Sequence, residues 1–182
     1  VALPVFLANE LDWAHEAVGA FLALWVIGYG VVQSSAPRLL TRNGNSTDEV
    51  LATRQWGFIL GVTATALAVL VSIDVARTWV VVIGLIVFGV VFAMNSALHS
   101  FLVLAYSNDD GVALDVGFYY SANAAGRLIG TLLSGLLFLA GGLTIALVGC
   151  AVFVVLTWML TLRLPALPDG THASLASVKA SD

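Results

Sequence analysis

The stretch Val116–Leu162, VGFYYSANAAGRLIGTLLSGLLFLAGGLTIALVGCAVFVVLTWMLTL, holds one formal charge, Arg127. A helix rises about 1.5 Å per residue and the hydrocarbon core of a bilayer is about 30 Å thick, so about 20 apolar residues make a span. This run is long enough for two helices. Gly141-Gly142 is the natural break between them, which predicts spans over about 116–139 and 143–162.

The same charge-free logic extends outward. No charge falls between Glu16 and Arg38, nor between Thr78 and Asn108, and Asp74 closes an apolar run that opens near Gly57. These runs predict spans over about 14–33, 57–76 and 80–106, the last long and tilted. Residues 1–8 read as the end of a further spanning helix whose beginning is missing. The expected fold is an all-α, polytopic helical membrane protein: five full spans and a stub.

Composition agrees. Of 182 residues, 60% are hydrophobic and 10% charged, against about 45–50% and about 25% in soluble domains. Mean hydropathy is +1.00. A net charge of −4 leaves no basic surface for nucleic acid. The single Cys150 excludes a disulfide framework, and no spacing suggests a metal or cofactor site. Gly28-Tyr29-Gly30 lacks a third glycine and lies in an apolar helix, so it is no dinucleotide motif.

Orientation follows from Lys and Arg near the helix ends. Arg38, Arg42 and Arg54 place a 34–56 loop, with its turn at Asn43-Gly44-Asn45, in the cytoplasm. Alternation then puts the acidic 107–115 loop and the 163–182 tail inside too, with Arg163 and Lys179. Arg77 alone lies outside. The polar tail reads as disordered. Asn45-Ser46-Thr47 matches a glycosylation sequon, a chance match on that side.

Arg127 sits about eleven residues into its span, roughly 16 Å deep. An Arg there costs about 2.5–3.5 kcal/mol and calls for a cavity or a partner. Tyr119, Asn123 and Arg127 are spaced i, i+4, i+8 and share one face, with Tyr120 beside them. The neighbouring stripe, Ala122, Gly126, Gly130 and Ser134, is a small-residue row suited to close helix packing. On the preceding span Asn95 and His99 lie at matching depths, while Ser96 and Ser100 suit helix–helix hydrogen bonds. Trp25, Tyr29 and Gln33 form a third i, i+4, i+8 stripe. Arg127, Asn123, Tyr119, Tyr120 and Asn95 are the candidate substrate-binding set, against the alternative of an interhelix clamp for Arg127. No constellation for an intramembrane enzyme appears.

With five spans, a truncated first helix and a basic loop after the second, the chain resembles the C-terminal half of a major facilitator superfamily transporter. Gly30-Val31-Val32-Gln33-Ser34-Ser35-Ala36-Pro37-Arg38 occupies the place of that family's Gly-x-x-x-Asp-Arg loop and departs from it. Three stretches are more closely similar to ArsJ-type organoarsenical efflux permeases. They are Val18–Gly30, Asn95–Ser100 and Leu114–Gly135.

That resemblance implies efflux of a small anion such as 1-arseno-3-phosphoglycerate, supplied by a glyceraldehyde-3-phosphate dehydrogenase, and arsenate resistance. It also implies a site shared with the missing N-terminal six-helix half, a bacterial inner-membrane location, and proton antiport with His99 and Asp115 as candidate carriers. The alternatives are an exporter of another small anionic metabolite and a non-transporting membrane scaffold.

Overall fold

The computed structural model describes residues 1–40, 46–74, 76–107 and 112–165, with the side chains of 37–40, 46–48 and 112 left aside. The Asn43-Gly44-Asn45 turn, Arg42, the Arg38 side chain, the sequon at Asn45, the acidic Asn108-Asp109-Asp110 and the tail with Lys179 lie outside the described residues. Five helices follow one another: α1 (Ala2–Asn9), α2 (His15–Leu40), α3 (Ser46–Ser72), α4 (Arg77–Tyr106) and α5 (Val112–Thr161). Among the described residues there is no strand.

Four of these are long and apolar enough to cross a membrane, over His15–Ala36, Glu49–Ser72, Arg77–Tyr106 and Ala113–Thr161. The last is two spans in one element. Gly141 is extended (φ −173°) and Gly142 lies at φ +67°, ψ −161°, so α5 breaks into arms 112–140 and 143–161. Only glycine adopts the Gly142 conformation without strain. The break falls at the pair of glycines read as a hinge in the sequence.

The helices run farther than the apolar segments do. Residues 34–56, expected as a loop, are helical over 34–40 and 46–56, and α3 stops at Ser72, short of residue 76. A helix propagates through polar residues once nucleated, whereas hydropathy registers only the part that matches hydrocarbon. Past Ser72 the chain turns sharply, with Asp74 and Ala76 both at positive φ (59° and 46°).

The packing is up-and-down. One end of the bundle gathers Glu10, Asp74, Arg77 and the Gly142 break; the other gathers Arg54, Tyr106 and residues 164–165. The larger apolar cluster lies toward the first end and joins Phe6 and Leu7 of α1 to Val18, Leu67, Val71, Val81 and Leu143. A smaller one, Val50, Leu102 and Ala105, closes the second end.

Outside, large apolar side chains stand free: Leu139 is 83% exposed, Leu114 78% and Phe118 77%. In water such a surface drives association; in hydrocarbon it is the lipid contact. Several hydroxyls on the spans are satisfied within their own helices. Thr63 donates to Ile59 O, Thr131 to Arg127 O and Thr157 to Phe153 O, at 2.7–2.8 Å. Backbone carbonyls four residues back are the nearest acceptors where no water is at hand.

Candidate functional site

The 112–140 arm carries Tyr119, Asn123 and Arg127 on one face, as their spacing requires. Tyr119 is half-buried and meets Tyr120 edge to face, ring centroids 5.5 Å apart, while Tyr120 is exposed. From Tyr120 to Leu132 every side chain is exposed. Arg127 has no ion-pair or hydrogen-bond partner for its guanidinium among the described residues. Among the described residues, then, nothing answers to the interhelix ion pair that would make it a clamp. Asp115, in the first turn of α5, is exposed as well.

The small-residue row beside that face is met at one end only. Ser134 Oγ accepts the Ala2 N–H at 3.3 Å. At Gly126 and Gly130 a Cβ would meet nothing within 4 Å, and Ala122 is exposed. The row borders an apolar groove of about 680 Å³ between the two arms of α5 and the start of α1, with Cys150 and Phe153 on its far wall.

Asn95 and His99 sit differently. Asn95 is buried, 8% exposed, and its Oδ1 has no hydrogen-bond partner. That oxygen faces α3, 3.7 Å from where a Cβ on Gly57 would stand. His99 is half-buried, with Nδ1 2.9 Å from Asn95 O. A carbonyl can only accept, so Nδ1 carries the proton there and Nε2 is left for other work. Ser100 donates to Ser96 O at 3.0 Å. Among the described residues no hydrogen bond, ring contact or ion pair joins Asn95 or His99 to Tyr119, Asn123 or Arg127.

The Trp25–Tyr29–Gln33 stripe is the seam between α2 and α4. Trp25 Nε1 donates to Leu85 O at 2.7 Å, Tyr29 packs on Phe92 with centroids 5.7 Å apart, and Gln33 Nε2 donates to Ser96 Oγ at 3.3 Å. Ser96 thus makes the interhelix bond its residue type suggested.

Two polar clusters escaped the sequence reading. Arg77 bridges Glu10 (Nη1–Oε2 3.2 Å) and Asp74 (Nε–Oδ1 2.6 Å), with its guanidinium 5.7 Å above the Phe6 ring. The Asp74 contact is close but its N–H direction is wrong for a hydrogen bond, so it is ionic in character. Opposite charges at successive turns were the available signal. The second cluster, around Arg54, carried no such signal, because its acceptors are main-chain carbonyls.

A broken pair of long apolar helices and apolar outer faces describe a membrane-spanning chain. The model of the Major Facilitator Superfamily matches residues 1–180. The chain belongs to the Major Facilitator Superfamily. No curated protein and no solved structure matches it. Members of the superfamily are secondary transporters, not enzymes, and this one is an integral, multi-pass membrane protein. Membership settles the class of activity, secondary transport.

Proposed function

We propose that the chain is the C-terminal half of a Major Facilitator Superfamily exporter whose cargo is a small anionic organoarsenical such as 1-arseno-3-phosphoglycerate. The unpartnered Arg127, on one face with Tyr119 and Asn123, carries this reading. A guanidinium at midspan is too costly to leave without an anion or a cavity. Its fork of donors matches the oxygens of phosphate or arsenate. Asn123, Tyr119, Tyr120 and Asn95 supply neutral hydrogen bonds. In this reading α1 is the end of a longer helix, and an N-terminal six-helix half completes the site by alternating access.

The basic ends define the cytoplasmic face of a bacterial inner membrane. A glyceraldehyde-3-phosphate dehydrogenase supplies the cargo, and efflux confers arsenate resistance. Proton antiport drives it, with His99 and Asp115 as carriers. No residue on the Arg127 face distinguishes arsenic from phosphorus, which favours export of another small anionic metabolite as the second reading.

Everted vesicles carrying the complete gene test the proposal. Uptake of arsenate is followed with the dehydrogenase, NAD and glyceraldehyde-3-phosphate, in wild type and Arg127→Ala. Uptake that needs all three additions and is lost in the variant supports it. Uptake of arsenate alone, or none, removes the organoarsenical cargo.

A further inference from the structure

The last helix does not simply end. Leu162, Arg163 and Leu164, just past the end of α5, fold their N–H groups back onto Trp158 O, Leu160 O and Thr161 O at 3.0–3.3 Å, and Pro165 has no N–H to carry the turn further. A helix terminus leaves carbonyls without partners, and at a membrane end each must find a donor or water. Trp158 O, Leu160 O and Thr161 O take the folded-back N–H groups, and the carbonyls of Leu164 and Pro165, just past the helix, meet side chains of other helices. Arg54 Nη2, from α3, donates to Leu164 O at 2.9 Å, and Tyr106 OH, the last residue of α4, donates to Pro165 O. Trp158 of α5 returns the bond, its Nε1 donating to Arg54 O at 3.0 Å. The Leu164 side chain rests on Val50, Leu102 and Ala105, the apolar cluster that closes this end.

Donors from three helices therefore meet one carbonyl of α3 and two of the segment just past α5. A cation at a helix C-terminus is also favoured by the helix dipole, and Arg54 faces the C-terminal end of α5. We propose that residues 162–165 are a strap: bound by Arg54 and Tyr106, with Trp158 bonded in turn to Arg54 O, they lock the ends of α3, α4 and the 143–161 arm into one unit. The strap is a feature of the folded chain and does not depend on which anion is carried.

The test reads the accessibility of position 164 and needs no transport assay. Cys150, the single cysteine, is replaced by Ala, and Leu164→Cys or, as exposed reference, Leu162→Cys is introduced into the complete protein in membranes. Labelling by a polar maleimide is then timed. The strap predicts that position 164 labels at least about tenfold more slowly than position 162, which is 46% exposed. Arg54→Gln or Tyr106→Phe should raise the rate at 164 on the order of tenfold, the factor carried by one lost hydrogen bond from a strong donor, and leave 162 unchanged. Tyr106→Phe removes only a hydroxyl, so it tests the strap even where Arg54→Gln prevents insertion. Equal rates at 164 and 162 in the parent protein overturn the proposal. So does slow labelling at 164 that neither substitution relieves, since the protection then comes from apolar packing alone.

Discussion

The Trp25 indole is seated on Gly89: its Nε1 donates to Leu85 O at 2.7 Å, and a Cβ on Gly89 would lie 2.9–3.1 Å from three of its ring atoms. Stacked below, Trp25 and Tyr29 lie 6.0 Å apart, and Tyr29 meets Phe92. The α2 span is otherwise little buried by the rest of the chain. This line of aromatic contact fixes its register against α4.

Gly89→Ala is therefore expected to cost about 1–3 kcal/mol, because the new methyl has no room unless the indole moves. Trp25→Phe keeps one aromatic ring but loses the pyrrole ring and its N–H bond, of which the bond alone is about 0.6–1.7 kcal/mol inside a membrane protein. Unfolding in mixed micelles by titration with a denaturing detergent compares them. A Gly89→Ala variant as stable as wild type would show that the indole is not seated there.

The break in α5 separates two causes that its glycines share. Gly142 needs its backbone conformation, at φ +67°, and an Ala there carries about 1–3 kcal/mol of strain wherever its neighbours lie. Gly141 is extended, which any residue adopts, but a Cβ there would run into the Ile145 side chain. Ile145→Ala is thus expected to rescue Gly141→Ala and not Gly142→Ala. Thermal unfolding of the four variants checks this, and rescue of both would place the whole effect in packing.

At the opposite end from the strap, Arg77 ties α1 to the α3–α4 turn through Glu10 and Asp74. Its side chain and that of Glu10 are 34% and 38% exposed, so water and salt screen the pair. A double-mutant cycle with Glu10→Gln and Arg77→Gln is expected to return a coupling of about 0.2–1 kcal/mol. The coupling should shrink toward zero in about 1 M salt. A coupling that salt leaves untouched would mean the pair is shielded by lipid or by another part of the protein.

Charge gaps marked out the long apolar helices, because a charge in hydrocarbon is expensive enough to leave a mark in one dimension. The Gly141-Gly142 break was visible for a similar reason: two adjacent glycines cost a helix too much to be there without use. Partners were not visible. The Trp25–Tyr29–Gln33 stripe announced a face, yet the seat at Gly89 and the acceptor at Leu85 O follow only from the crossing of two helices. The row Ala122–Gly126–Gly130 is open in this chain, whereas close helix contact occurs at Gly57, where a Cβ would stand 3.1 Å from the Trp158 ring. Asn95 was read by its depth along the helix, and depth does not say that its Oδ1 faces α3.

Arg127 offers a prediction whose two parts have opposite signs. Replacing it by Leu removes a charge whose insertion costs about 2.5–3.5 kcal/mol at the middle of a span. The guanidinium has no partner among the described residues, so no bond within this chain is lost in exchange. Arg127→Leu should accumulate in the membrane at least as well as wild type and unfold no more easily, while transport disappears. Arg127→Lys keeps the charge and loses the fork of donors, and most transport should go with it at unchanged expression. Membrane-fraction blots and detergent melting read the first part; vesicle uptake reads the second. If both variants fail to insert, Arg127 is a structural clamp whose partner lies beyond the residues described, and the anion site belongs elsewhere.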